Sequence, residues 1–314
     1  MGAIRLPFVN LVFMLYPLLF HPVYKDYIWG GARMRHAFSR EEAQGKIAES
    51  WEISSHPDGM SIVENGPLKG KTLQKLFETE KNALMGKHAH LEQFPLLLKI
   101  IDAQENLSVQ VHPSTGKEAK TECWYLLDAD PKSVVYAGLK ENYPKETILE
   151  KLPTDEILTL MRTLPVQKGD MIFIPGGRLH AIGAGCLIYE IQQTSNTTYR
   201  VYDWGRGRET HIEEATQVMR FQDPENPRIA PKLIKETETF TQTELLRTPL
   251  FVVEKWTLNA SIPWEQKENQ CEFLFCISGN NSLVPPGRSL LLPAACPPQT
   301  IETNGCTLLR TFVP

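Results

Sequence analysis

The chain has no C-x-x-C pair; its six cysteines, Cys123, Cys186, Cys271, Cys276, Cys296 and Cys306, lie far apart. That spacing argues against a disulfide framework or a thiolate metal site. Several sit in apolar runs, such as Glu122-Cys-Trp-Tyr-Leu-Leu and Gly185-Cys-Leu-Ile-Tyr, and read as small buried thiols in a reducing cytoplasm. There is no Lys/Arg run, and 33 basic against 37 acidic residues give a net charge of -4, so the chain lacks the footprint of a nucleic-acid binder. No membrane segment is expected either. Met1 to Phe20 is apolar with Arg5 as its only charge, but the densest part, Leu11 to Phe20, contains Pro17 and is too short to span a bilayer. No small-x-small cleavage site follows it. Short-period repeats are absent, and no histidine follows His211.

What is present is an ordinary globular composition, 42% apolar and 22% charged, over 314 residues, a length that fits two domains. The 23 prolines favour many short elements joined by turns over a helical bundle. Strand-like runs dominate: Leu96-Leu-Leu-Lys-Ile-Ile, Leu107-Ser-Val-Gln-Val-His, Cys123-Trp-Tyr-Leu-Leu, Ser133-Val-Val-Tyr-Ala, Asp170-Met-Ile-Phe-Ile, Leu187-Ile-Tyr-Glu-Ile and Tyr199-Arg-Val-Tyr. This rhythm predicts an antiparallel all-β sandwich or small barrel. Helical periodicity interrupts it at Thr72–Met85, at 154–161 behind a Thr154 cap, and at His211–Met219. A Pro-rich stretch from Asp223 predicts a boundary. Apolar strands then resume at Phe251, Glu272 and Ser289 as a second, smaller β unit.

Strand alternation isolates the chemistry. Ser108, Gln110 and His112 share one face of their strand while Val109 and Val111 take the other. Three polar side chains on one face are costly to bury unless that face lines a site. Glu122 opens the next apolar strand, and Gly169-Asp-Met-Ile-Phe-Ile-Pro-Gly-Gly-Arg-Leu-His180 is a turn, a strand, a Pro-Gly corner and a histidine. Gln110, His112, Glu122 and His180 together form a ligand set for a divalent metal. Two imidazoles, a carboxylate and an amide oxygen suit zinc, and manganese, iron or cobalt remain open. Lys99, between Leu96-Leu-Leu and Ile100-Ile, needs a partner if buried. His88 and His90 lie in a polar segment and read as a surface loop. Trp51 reads as packing, and Trp29 stays open between packing and sugar stacking.

Gly169 to His180 resembles the second cupin motif, and Gln110, His112 and Glu122 resemble the first, with Gln in place of the commoner His. Around them stand Ile28-Trp-Gly-Gly, Glu49-Ser-Trp-Glu-Ile-Ser-Ser-His-Pro, Phe94-Pro-Leu-Leu-Leu-Lys-Ile-Ile-Asp, Lys120-Thr-Glu-Cys-Trp-Tyr and Tyr199-Arg-Val-Tyr-Asp. In this order and spacing, from about Leu18 to the C-terminus, the set is similar to the short bacterial form of the type I mannose-6-phosphate isomerases.

The resemblance implies an all-β chain of two cupin (jelly-roll) barrels with small helical insertions. Residues 14–222 would be the catalytic cupin, and 223–314 a degenerate second cupin without metal ligands. Residues 1–13 would be an extension ahead of a start at Met14. It implies a cytoplasmic, zinc-dependent isomerase that interconverts mannose 6-phosphate and fructose 6-phosphate through an enediol, as a monomer or weak homodimer, with a phosphosugar as its small-molecule partner. By position it makes Gln110, His112, Glu122 and His180 the metal ligands. Lys99, Ser108, Lys120, Asn196 and Arg206 would bind substrate, Arg200 would assist proton transfer, and Glu190 is the candidate base. Asn196 stands where many relatives carry Asp, and Arg206 where they carry Lys. The rival expectations are a non-catalytic phosphosugar-binding cupin and another metal cupin enzyme such as a dioxygenase.

Overall fold

The computed structural model describes residues 15–40, 42 and 44–314, so the extension 1–13 and the start at Met14 lie outside the described residues. The fold is all-β with small helical insertions, and two antiparallel sheets enclose the first barrel. One has six strands in the order Met171–Ile174, Glu122–Ala129, Cys186–Gln193, Leu96–Ala103, Glu49–Ile53, Val23–Lys25. The other has five, in the order Tyr199–Tyr202, Val109–Val111, His180–Ile182, Val134–Leu139, Met161–Pro165.

Leu96–Ala103 is buried on both faces, which explains its unbroken apolar reading. Its side chains alternate between two cores. Leu96, Leu98 and Ile100 join Phe273, Phe275, Leu291 and Leu309 of the C-terminal sheet. Ile101 and Ala103 join Trp124, Leu126 and Ile188 inside the first barrel. Lys99 therefore points inward with the second set, opposite Glu190 in register.

The second barrel is built on an eight-stranded sheet: Lys232–Glu236, Phe240–Arg247, Val252–Leu258, Thr303–Phe312, Glu272–Asn281, Ser289–Leu292, Leu18–His21, Ile62–Val63. Its last two strands come from the first half of the chain, so the sequence boundary near 223 is not a boundary of this sheet. A two-stranded sheet, Ile262–Trp264 with Gln299–Ile301, contributes Ile262, Trp264 and Ile301 to the inner core. There the Arg310 guanidinium sits 5.1 and 5.8 Å from the Trp264 and Trp256 rings. It is bonded to Glu272 and lies 3.6 Å from Glu254.

The helical expectations hold in outline and shorten in detail. Thr72 caps Leu73–Thr79 through Lys75 N–H, but a break at Glu80 separates it from Lys81–Met85. The segment behind Thr154 keeps one turn, Ile157–Leu160, before the chain enters the strand Met161–Pro165. Ile212–Val218 follows His211 as expected, while Arg33–Ala37 and Lys145–Lys151 were not anticipated.

Candidate active site

The two sheets of the first barrel supply the expected ligands from opposite sides. Gln110 and His180 are paired in register on the five-stranded sheet, His112 follows directly after Val111, and Glu122 opens its strand on the six-stranded sheet. The Pro175-Gly-Gly corner brings these strands together. Gly177, at φ +86°, donates its N–H to the His112 carbonyl at 2.8 Å. A Cβ on Gly176 would meet Ser114 Cα at 2.5 Å. Only glycine lets these backbones approach so closely.

Ligand atoms of His112, Glu122 and His180 lie within 4.8 Å of one another, all buried. Each imidazole is fixed through Nδ1, which donates to the Thr197 carbonyl from His112 and to the Arg178 carbonyl from His180, both at 2.8 Å. That leaves both Nε2 atoms as acceptors aimed at Glu122, at 3.6 and 3.5 Å. The Gln110 amide lies 3.4 Å from His180 Nε2, and Ser108 Oγ donates to its oxygen at 3.2 Å. Lys120 Nζ stands 3.1 Å from His112 Nε2 and 2.9 Å from Glu122, a cation already set against the ligand atoms. Two acceptor nitrogens, a carboxylate and a nearby amide fit a divalent metal.

Electrostatics keep this set ready. Burial, then Lys120 and the other imidazole, holds His112 well below its usual value. Burial brings His180 down to about 4. Both rings are neutral at physiological pH. Burial, reinforced by Glu190, pushes Glu122 up to about 7. For Glu190 burial acts upward too, but Lys99 and Lys120 outweigh it and hold it at about 2. Lys99 bridges Glu190 at 2.8 Å and Glu49 at 3.3 Å, and these carboxylates overcome the cost of burying it. The Trp124 indole donates to Glu190 at 2.9 Å and to Glu122 at 3.1 Å, tying the two carboxylates to one frame.

A cavity of about 290 Å3 opens over this floor. It is lined by Lys99, Ser108, Gln110, Lys120, Glu122, Glu190, Asn196 and Arg200, eight of the eleven expected site residues. His112 and His180 lie beside Glu122. Arg206 differs: it turns onto Asp203 at 2.8 Å and toward Glu105 at 3.8 Å, outside the cavity lining. Asn196 donates to Asp58 at 2.8 Å. Sequence reasoning missed Glu49, Tyr27, Thr198, Trp124 and Arg208, and Trp29 resolves to a wall residue. The signal for Glu49 was its place in the Glu-Ser-Trp-Glu block. Nothing in the sequence separated Arg208 from Arg206.

Outside the site, Trp51 is buried and bonded to Glu49 at 2.7 Å, as packing required. His56 ends in a turn, where its ring accepts from Asp58 N–H. His88 departs from the surface reading: it is buried, with Nε2 3.2 Å from the Val313 carbonyl. The polar letters around it concealed its contact with Val313, the residue that follows the last strand.

Comparisons with known proteins show the family to which the chain belongs. Residues 18–147 match the family model for the catalytic domain of type I phosphomannose isomerase. The mannose-6-phosphate isomerase of Streptococcus mutans is 38% identical over 81% of this chain and 82% of its own length. Mannose-6-phosphate isomerase ManA of Bacillus subtilis is 36% identical over 80% and 82%. A crystal structure of the mannose 6-phosphate isomerase from Bacillus subtilis superposes with a TM-score of 0.87 at 31% identity, covering 95% of this chain and 99% of that one. With its cupin barrels and the buried His-Glu-His floor, the chain belongs to the type I phosphomannose isomerase family.

Proposed function

We propose that this enzyme interconverts mannose 6-phosphate and fructose 6-phosphate, with zinc held by Gln110, His112, Glu122 and His180. The observation that carries the reading is the convergence of His112, Glu122 and His180 at the floor of a cavity walled by Lys99, Lys120, Arg200 and Arg208. Two neutral imidazoles and one carboxylate are a borderline-hard set suited to zinc. When bound, such an ion supplies Lewis-acid polarisation of the sugar oxygens.

The chain's own residues do the rest. Isomerisation carries a proton between carbon 1 and carbon 2, and negative charge develops on oxygen. Arg200, on the strand paired with Gln110, presents a guanidinium at the cavity wall where that charge can be met. Glu190 is the carboxylate we assign to the proton. It is ionised at neutral pH and faces the cavity. As a sugar hydroxyl takes hydrogen bonds from Lys99 or Lys120, the positive charge that weakens Glu190 as a base is shared, and its basicity rises. Ser108 and Asn196 offer hydroxyl and amide groups for orienting the sugar.

Every assigned residue precedes 223, which supports 14–222 as the catalytic part and 223–314 as a supporting barrel. In that barrel the Arg310 guanidinium takes the central polar position. We also infer a cytoplasmic monomer or weak homodimer; the six free thiols, five of them buried, support the reducing compartment.

The test is fructose 6-phosphate formation from mannose 6-phosphate before and after chelation, with zinc added back. Turnover that chelation abolishes and zinc restores is expected. Full metal occupancy without turnover would sink the reading.

A further inference from the structure

Three arginines follow one another along residues 200–208, and only Arg200 and Arg208 reach the cavity. The loop that carries Arg206 and Arg208 is shaped by backbone conformation. Trp204, Gly205 and Gly207 adopt φ of +55°, +73° and +74°. At Gly205 and Gly207 a Cβ would meet nothing within 4 Å, so the glycines are there for conformation and not for space. The loop doubles back, and both arginine heads close on one buried carboxylate, Asp203.

The two heads are held differently. Arg206 is tied to its own loop and away from the cavity: Nη2 reaches the Asp203 carboxylate at 2.8 Å, Nε the Asp203 carbonyl at 3.2 Å, and Nη1 lies within ion-pair range of Glu105 at 3.8 Å. Arg208 grips Asp203 with one edge, Nε at 2.8 Å and Nη2 at 2.6 Å. A guanidinium has five N–H donors, so this fork leaves Nη1 to face outward while the side chain is fixed in place.

The charges around this wall are unequal. Lys99 is matched by Glu49 and Glu190, and Lys120 by Glu122. Asp203 serves both Arg206 and Arg208, with the half-exposed Glu105 near Arg206 only, while among the described residues the Arg200 side chain bonds only a neutral carbonyl, that of Glu209, and its buried Nε has no partner. Arg200 also feels Arg208 directly: after burial, repulsion from Arg208 is the strongest influence lowering its hold on its proton. Two guanidinium groups set close together on a cavity wall are complementary to a multiply charged anion.

We propose that Arg208, aimed by Asp203, is the side chain that grips the substrate's phosphate together with Arg200, and that Arg206 braces Asp203 without touching substrate. This deepens the phosphosugar reading of the same cavity and rests on it. Asp203 is a positioning residue; Arg208 is a specificity-determining one.

The experiment compares wild type, Arg208→Met and Arg206→Met in two readouts: KM and kcat for mannose 6-phosphate, and calorimetric binding of inorganic phosphate. Loss of a charge-assisted contact predicts that Arg208→Met raises KM and weakens phosphate binding roughly 10- to 100-fold, with kcat changed far less. Arg206→Met should have at most a tenth of that effect. Arg208→Lys keeps the charge but loses the fork, so it shifts both readouts in the same direction by less, and it serves if Arg208→Met fails to fold. Equal or larger effects from Arg206→Met, or unchanged phosphate binding in both Arg208 variants, would overturn the assignment. If wild type binds phosphate through Arg208 but turns over no mannose 6-phosphate, the function reading fails while the anion site stands.

Discussion

At the scale of single residues, the site divides protonation between two carboxylates on one indole. Burial raises both, but at Glu190 Lys99 and Lys120 outweigh it and keep the group ionised far below neutrality, whereas at Glu122 the charge of Glu190 adds to it and ionisation falls near neutrality. Glu190→Gln keeps the shape, leaves one oxygen to accept from Trp124 or Lys99, and removes the carboxylate that takes the proton. It should lower kcat by about 10²–10⁴ and abolish exchange of substrate hydrogen with solvent, read as deuterium incorporation. Unchanged exchange would remove Glu190 from that role. Glu122 predicts how metal binding follows pH. The imidazoles are already neutral, with His180 at about 4 and His112 also depressed, so the proton competing with the metal above pH 5 is that of Glu122, at about 7. Affinity should be nearly flat above that value and fall by up to about tenfold per pH unit below it. Chelator competition at pH 6, 7 and 8 measures this, and a flat profile would contradict it.

At the scale of elements, the sequence blocks acquire structural causes. In Ile28-Trp-Gly-Gly, a Cβ on Gly31 would lie 2.8 Å from both carboxylate oxygens of Asp102, and one on Gly30 would lie 2.6 Å from Ala48 N. Asp102 accepts from Arg33 N–H and Met34 N–H, so it anchors the short helix Arg33–Ala37 beside the wall carrying Tyr27 and Trp29. Gly31→Ala should therefore cost about 1–3 kcal/mol through overpacking. Denaturant unfolding would show it as a lower midpoint with an unchanged slope; an unaltered midpoint would mean the wall gives way without cost. Strand positions were legible because apolar runs bounded by Pro, Gly or Asp repeat regularly. The break at Glu80 and the single turn at Ile157–Leu160 were not, because periodicity does not reveal where packing ends a helix.

At the scale of the whole molecule, the two barrels are joined by shared strands and a shared core. Leu18–His21 pairs with Ser289–Leu292 on one side and Ile62–Val63 on the other. Arg178 clamps Asp223 at 2.8 and 2.7 Å, tying the start of the Pro-rich stretch to the strand that begins at His180. The second barrel is held by Arg310 against Glu272 and Glu254. Arg310→Ala leaves two buried carboxylates without their cation and should destabilise the fold by about 3–5 kcal/mol. Replacing Arg310 and Glu272 together by Met and Leu should recover much of that loss in the same unfolding assay. If the single change is harmless, the guanidinium does not hold this barrel together.

The sequence by itself determined the all-β class and the shared face of Ser108, Gln110 and His112, and it nominated Glu122 and His180 as their companions in a proposed ligand set, because two-residue alternation and glycine corners are local properties of the chain. It also marked Lys99 as a buried cation in need of a partner. The tertiary structure alone decided that the partners are Glu49 and Glu190, that N-terminal strands complete the C-terminal sheet, and that Arg208 faces the cavity while Arg206 does not. Those facts depend on register between distant strands and on the direction of a loop with positive φ, and no local pattern of side chains encodes either.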